Sequence, residues 1–93
     1  MNIKKSLGLA IKQSRNAKKI TQEDFSETSS RTYISTLERG LYSPTVEKVD
    51  ALAKVIGIHP LTLLTLTYLV DLNEKDPARL LRKVEDELSQ IFS

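Results

Sequence analysis

The stretch from Ser30 to Gly40 places polar side chains that donate or accept hydrogen bonds at helical spacing. Ile34 and Leu37 lie three residues apart and can anchor one face of a helix in a core. Ser30 is a favourable N-cap, and Gly40 a favourable stop. The other faces carry hydroxyl, phenol and guanidinium groups, from Arg31, Thr32, Tyr33, Ser35, Thr36 and Arg39. A short capped helix with a donor-rich outer face fits the major groove of DNA.

Positive charge is concentrated in the N-terminal part of the chain. Residues 1–40 hold eight Lys or Arg and four Asp or Glu, whereas residues 41–93 hold six and eight. The first part therefore carries a net charge of +4 and the second −2, within a chain of 93 residues and net charge +2. A basic end beside an acidic end suits a surface that faces a polyanion, with ordinary surface charge as the alternative.

Several classes of function lack the residues they need. The chain has no cysteine and one histidine, His59, so we expect no disulfide, no metal site and no histidine-based catalytic triad. No glycine-rich phosphate loop is present either, and the sequence predicts a protein that is not an enzyme and uses no cofactor. Without an apolar run of about 18 residues or a signal peptide, we expect a cytoplasmic protein with no membrane partner.

Apolar periodicity predicts an all-α chain. The predicted helices cover about 4–18, 22–28, 31–39, 46–56, 60–72 and 77–92. Favourable N-caps precede several of them, namely Thr21, Ser30, Thr45 and Asp76, and His59 is placed to cap the helix that starts near Pro60. The predicted division is a DNA-binding domain over residues 1–70, followed by a linker and a C-terminal helix over residues 71–93.

The last two predicted helices carry more apolar surface than one small chain needs. Eight of the twelve residues from Leu61 to Leu72 are apolar, so that helix is apolar on nearly every face. The final helix has apolar residues at spacings of 3, 4 and 3, a seam typical of helix pairing. We predict a dimer interface formed by Leu63, Leu66, Leu69, Val70, Leu81, Val84, Leu88 and Ile91. Packing of the seam on the preceding helix, or on another protein, is the alternative.

An ordered set of short motifs extends over about residues 3–66. The set comprises Leu7-Gly8, Ile11, Arg15, Thr21-Gln22-Glu23, residues 31–35 and 37–40, Ser43-Pro44-Thr45, Leu52-Ala53, Ile56-Gly57-Ile58 and Leu63-Leu64. Together they resemble the phage-repressor (Cro/repressor, or xenobiotic-response-element) helix-turn-helix family. The resemblance implies a five-helix lambda-repressor-like DNA-binding domain, here with an additional C-terminal helix. One departure is that the connection over 25–30 is about two residues shorter and lacks glycine, so the second helix must end early or the turn must tighten.

The resemblance also implies roles for individual residues. In the family, the helix corresponding to 31–39 enters the major groove and the preceding helix crosses the backbone. The implied base contacts are Arg31, Thr32, Tyr33 and Thr36, and the implied phosphate contacts are Gln22, Ser35, Arg39, Ser43 and Thr45. Arg15 and Glu38 continue the buried faces of their helices and match a structural salt bridge of the family. For Tyr33, a core position is the alternative.

These observations lead to one main functional hypothesis and one alternative. The main hypothesis is a sequence-specific regulator of transcription that binds double-stranded DNA, most simply a homodimeric repressor that reads an inverted repeat. A bacterial, plasmid or phage origin would fit that family. The alternative is an antitoxin-like or adaptor protein whose C-terminal helix binds another protein.

Overall fold

The computed structural model describes residues 2–93 and contains six helical elements. They are α1 (Ile3–Ala17), a short 3₁₀ helix (Gln22–Phe25), α2 (Arg31–Glu38), α3 (Val46–Ile56), α4 (Pro60–Leu72) and α5 (Ala78–Phe92). No strand occurs in the part of the chain that is described. The predicted fold class is confirmed, because five helical elements form the body of the molecule and α5 follows as an additional C-terminal helix.

Local side-chain caps explain where most helices begin. Thr21, Ser30 and Thr45 each accept a hydrogen bond from the backbone N–H three residues further on, at 3.1–3.3 Å. His59 accepts from the N–H of Leu61 at 3.0 Å through its Nδ1 atom. Each cap satisfies a backbone donor that the first turn of a helix leaves unpaired. These start points agree with the caps predicted from the sequence.

The second element is shorter than its predicted range of 22–28 and is a 3₁₀ rather than an α-helix. It ends at Phe25, whose ring is completely buried. The backbone N–H groups of Thr28 and Ser29 both donate to the carbonyl oxygen of Phe25, at 2.8 and 2.7 Å. A tight turn thus replaces the missing residues, as the short connection without glycine requires.

The core lies where α1, α2, α3 and α4 meet around Phe25. Its buried side chains are Leu7, Ala10, Ile11, Phe25, Ile34, Leu37, Val49, Leu52, Ala53, Ile56 and Leu63. α1 packs along α4 on one side and against α2 on the other. Burial of this apolar surface holds α2 in place with its polar side outward.

The backbones of α1 and α2 come into direct contact at Gly8. A Cβ atom on Gly8 would overlap the carbonyl oxygen of Leu37 and lie 2.8 Å from that of Glu38. Only glycine leaves room for such an approach. The C-terminal end of α2 is therefore fixed against α1 by main chain as well as by side chains.

Part of the predicted dimer interface belongs instead to the core of the single chain. Leu63 has no exposed surface because α4 packs this side against α1, and its assignment to a dimer interface is wrong. Leu69 is also buried, while Leu66 and Val70 are half-buried. A helix that is apolar on all sides does not indicate which side its own chain covers, which is why sequence reasoning misplaced Leu63.

α5 contributes no buried residue to the molecule. The four residues of its seam, Leu81, Val84, Leu88 and Ile91, are exposed, and Leu80 is half-buried. Among the residues described, no single helix is long and apolar enough to cross a membrane. α3 and α4 together reach that length and hydropathy, but the chain bends by 100° between them.

Candidate nucleic-acid interface

α2 divides its residues between the core and an accessible outer side. Ile34 and Leu37 are completely or almost completely buried. Arg31 and Thr32 are exposed, and Tyr33, Ser35 and Thr36 are half-buried. All the residues predicted to touch bases therefore keep some accessible surface, on a short helix that the core holds from behind.

Arg15 and Glu38 form a two-pronged ion pair, as expected from the sequence. Arg15 Nε donates to Glu38 Oε2 at 2.6 Å, and Arg15 Nη2 donates to Glu38 Oε1 at 2.9 Å. Only 13% of the Arg15 side chain and 6% of the Glu38 side chain are exposed. The hydrogen bond to Glu38 raises the pKa of Arg15 above its ordinary value. The pair joins the end of α1 to the end of α2 in a geometry that favours both charges.

Gln22 is drawn into this ion pair rather than left in solvent. Its Nε2 atom donates to Glu38 Oε1 at 3.1 Å, and the residue is half-buried. One amide hydrogen remains available for another acceptor, because an amide nitrogen carries two. Gln22 is thus oriented by Glu38 at the start of the 3₁₀ helix.

Arg31 stands at the first position of α2 and contacts Glu23 of the 3₁₀ helix. Arg31 Nη1 lies 3.1 Å from Glu23 Oε1, and the two side chains are 70% and 74% exposed. An ion pair in such contact with water contributes only about 0–1 kcal/mol. The guanidinium therefore keeps most of its donors free and can leave Glu23 at little cost.

Local hydrogen bonds determine which donors and acceptors of Thr36 and Arg39 remain free for a ligand. Thr36 Oγ1 donates to the carbonyl oxygen of Thr32 at 2.8 Å and accepts a long bond from Arg39, which leaves one lone pair and the methyl group for other contacts. Arg39 Nε donates to the carbonyl oxygen of Ser35 at 3.4 Å, and its Nη2 lies 3.5 Å from Thr36 Oγ1. These long bonds keep the exposed Arg39 guanidinium beside the outer side of α2.

Ser43 and Thr45 lie in the loop between α2 and α3. Both are exposed. Thr45 accepts the capping hydrogen bond from the N–H of Lys48, so its own hydroxyl hydrogen remains free to donate. These two hydroxyls thus lie on the segment that leaves α2.

A cluster of Tyr33, Tyr42 and Lys48 was not predicted from the sequence. The Tyr33 and Tyr42 rings stack with centroids 5.7 Å apart, and Lys48 Nζ lies 5.2 Å from the Tyr33 centroid. Burial raises the pKa of the Tyr33 phenol above its ordinary value, and Tyr42 raises that pKa further. Tyr33 is thus a neutral donor and acceptor at physiological pH, half-buried beside the core rather than within it.

One signal in the sequence marks Lys48 in retrospect. The Thr45 cap places Lys48 in the first turn of α3, where a positive side chain is unfavourable beside the positive end of the helix. A lysine there gains from acceptors outside its own helix, and Thr28 and Ser29 in the turn before α2 provide them. Tyr42 has no comparable signal, because it lies in the loop between two helices.

The arrangement offers hydrogen-bond donors, cations and aromatic faces rather than catalytic groups. Across residues 2–93, no three His, Cys, Asp or Glu side chains gather where they could hold a metal ion. Buried side-chain nitrogen and oxygen atoms in this range all have hydrogen-bond partners. The outer side of α2 is therefore suited to binding a polar, anionic surface.

Comparison with known proteins points to one family. A family model described as helix-turn-helix matches residues 11–63. The chain is 36% identical over 69 residues to a protein of Sinorhizobium fredii described as an uncharacterized HTH-type transcriptional regulator, y4dJ. That alignment covers 72% of this chain and 90% of the other. No solved structure matches the chain.

The matched segment contains every element that builds the outer side of α2. It runs from Ile11 in α1 to Leu63 in α4, and so includes the 3₁₀ helix, α2 and the Lys48 cluster. Proteins of this kind bind DNA and regulate transcription, and they are not enzymes. The chain belongs to the helix-turn-helix family of DNA-binding transcriptional regulators.

Proposed function

We propose that this protein is a homodimeric repressor that reads an inverted-repeat operator with α2 in the major groove. The observation that carries the proposal is the outer side of α2. Arg31, Thr32, Tyr33 and Thr36 are accessible there, while Ile34 and Leu37 anchor the helix from behind. A protein that acts on DNA in this way would work in the bacterial cytoplasm.

The proposed base readout follows from what each side chain can offer. Arg31 suits guanine, because its guanidinium can donate two hydrogen bonds to the O6 and N7 atoms. The methyl groups of Thr32 and Thr36, and the ring of Tyr33, suit the methyl group of thymine. Since Thr36 already donates to Thr32, its oxygen is available only as an acceptor.

The proposed phosphate contacts surround the base-reading residues. Gln22 and Ser35 would act through polar groups close to α2, and Arg39 through its charge. Ser43 and Thr45 would donate from the following loop. Contacts of this kind position a protein on DNA without reading its sequence, and they make binding sensitive to salt.

Dimerisation is proposed from the apolar surface that the single chain leaves uncovered. On α5 the seam is formed by Leu81, Val84, Leu88 and Ile91, with Ile91 73% exposed. Leu66 and Val70 of α4 would extend the interface with their half-buried side chains. Two copies related by a two-fold axis would place two α2 helices about 10–10.5 base pairs apart, or a multiple of that. In this proposal residues 1–70 form the DNA-binding domain, and residues 71–93, together with Leu66 and Val70, join the copies.

Selection of bound sites from a random DNA pool at about 150 mM salt tests the proposal. The expected result is enrichment of an inverted repeat by the wild type. Arg31→Ala should lose discrimination at one base pair of each half-site, by about 1–3 kcal/mol, and unfold at the same urea concentration as the wild type. Gln22→Ala should weaken binding to all sequences alike.

Arg82→Ala is the matched control, because Arg82 is an exposed arginine on α5 that is not one of the seam residues. It should select the same operator as the wild type. Binding by the wild type that depends on salt but enriches no sequence would contradict sequence-specific recognition. An enriched site without an inverted repeat would contradict the dimeric arrangement.

The exposed seam of α5 also favours a second candidate, an antitoxin-like or adaptor protein. Here α5 binds another protein, and DNA contact is secondary. Removing residues 74–93 separates the two candidates. Loss of both dimerisation and operator affinity supports the dimeric repressor, whereas retention of both assigns α5 to a different partner.

A further inference from the structure

Lys48 reaches from α3 to the turn that precedes α2. Its Nζ atom donates to the carbonyl oxygen of Thr28 at 3.0 Å and to Ser29 Oγ at 2.7 Å. The same ammonium group lies 5.2 Å from the centroid of the Tyr33 ring. Lys48 is half-buried and therefore loses part of its hydration. Its two hydrogen-bond acceptors and the Tyr33 ring replace the water contacts that the ammonium group loses.

The shortened turn creates the need for this lysine. After the 3₁₀ helix the N–H groups of Thr28 and Ser29 both bond to Phe25, and α2 begins only at Arg31. A turn of this kind has carbonyl groups that no helix satisfies. Thr28 and Ser29 are half-buried, and the ammonium group of Lys48 supplies the donor for both oxygen acceptors.

The ammonium group of Lys48 is therefore bound by groups of its own chain. An ammonium group has three hydrogens, and two of them are donated to Thr28 and Ser29. The ring of Tyr33 provides a further favourable contact for the cation. A lysine so occupied differs from Arg39, whose exposed guanidinium makes only long bonds within α2.

We propose that Lys48 is a positioning residue for sequence recognition, which orients Tyr33 and the start of α2 without contacting DNA. The proposal deepens the proposed function and rests on it. Lys48 holds the turn by its two hydrogen bonds and holds the Tyr33 ring together with the stacked Tyr42. Loss of the ammonium group should change which base pair Tyr33 prefers, while leaving the number of phosphate contacts unchanged.

The test compares Lys48→Met with the wild type on the selected operator and on a random duplex, over a series of salt concentrations. Methionine keeps an unbranched apolar stem and removes the charge. The expected result is a loss of about tenfold in the ratio of specific to non-specific affinity, near the low end of what one misread base pair costs. The slope of log K against log salt should stay as in the wild type.

Two variants serve as controls, and a third is an additional test. Lys54→Met lies on the same helix in an exposed pair with Asp50 and should change neither quantity. Arg39→Met should reduce the magnitude of the negative slope of log K against log salt by about 0.9, as expected for one lost phosphate contact. Ser29→Ala removes one acceptor of Lys48 and should give a smaller loss of specificity in the same direction, and it tests the proposal if Lys48→Met fails to fold.

The outcomes that overturn the proposal are distinct. A slope of log K against log salt that is smaller in magnitude by about 0.9 in Lys48→Met, with specificity unchanged, would make Lys48 a phosphate contact. Unchanged slope and unchanged specificity would leave it no role in recognition. If the wild type itself shows no sequence preference, the proposed function fails and the role of Lys48 falls with it.

Discussion

α2 and α5 are both amphipathic helices, yet they expose opposite sides to solvent. α2 has eight residues, buries Ile34 and Leu37, and turns its polar side outward. α5 has fifteen residues, buries none of them, and leaves its apolar side outward. Helix length is therefore no guide to how firmly a helix is held, because tertiary packing supplies most of the stability of a helix in a protein.

The difference suits the separate roles proposed for the two helices. α2 is fixed by apolar burial, by the Arg15–Glu38 ion pair and by the backbone contact at Gly8. A helix held on so many sides can present side chains in one geometry, as recognition of base edges requires. α5 has an uncovered apolar side, which is the surface proposed to pair with a second molecule.

The largest expected difference in the free energy of unfolding comes from breaking one ion pair in each region. Arg15→Met leaves Glu38 almost fully buried with Gln22 as its remaining partner. We expect the free energy of unfolding to fall by about 3–5 kcal/mol, as for other buried pairs that lose one member. Lys83→Met on α5 breaks an exposed contact of 3.8 Å with Glu87 and should cost less than about 0.5 kcal/mol. Urea unfolding of both variants measures the difference, and equal losses would contradict it.

Leucine truncation gives the next largest effect. Leu37→Ala should destabilise the protein by about 2–5 kcal/mol, because the side chain is buried in the core. Leu88→Ala on α5 removes a side chain that is 46% exposed and should cost less than about 0.5 kcal/mol in protein dilute enough to be monomeric. If thermal unfolding of dilute protein shows the Leu88 variant to be as unstable as the Leu37 variant, α5 is packed on its own chain.

Removal of residues 74–93 should have a much smaller effect on folding than Arg15→Met or Leu37→Ala. Leu80 is half-buried and the rest of α5 is exposed, so the free energy of unfolding should change by no more than about 1 kcal/mol. Circular dichroism should show the helices of residues 2–73 intact, and urea titration gives the stability. Collapse of the shortened chain into an unfolded state would mean that α5 supports the fold through self-association.

Sequence reasoning was most successful where the decisive interaction is local. Thr21, Ser30, Thr45 and His59 cap helices within three residues of themselves, so their side chains mark the boundaries directly. The shortened connection before Arg31 likewise indicated an early end to the second element or a tighter turn, although the predicted range of 22–28 was too long. Such features depend on residues that are adjacent in the chain, which is why pattern alone identifies them.

Sequence reasoning failed where the decisive interaction is distant. Leu63 and the rest of its apolar helix offered no clue to which side α1 would cover. Tyr33 meets Tyr42 and Lys48 only because the loop and α3 return to the N-terminal end of α2. One distant contact is an exception. The ion pair of Arg15 and Glu38 joins residues 23 positions apart, and it was expected because both continue buried helix faces and match a salt bridge that the family resemblance implies.

The close approach at Gly8 has a consequence for how such a regulator acquires new targets. Since main chain and inward residues hold α2, the outer positions Arg31, Thr32 and Thr36 can be exchanged without rebuilding the scaffold. In the proposed mode of recognition, operator preference can thus drift, or be re-engineered, while the fold is inherited unchanged. Tyr33 is the exception, since replacing it also disturbs Lys48 and Tyr42, and retargeting should advance fastest at its three neighbours.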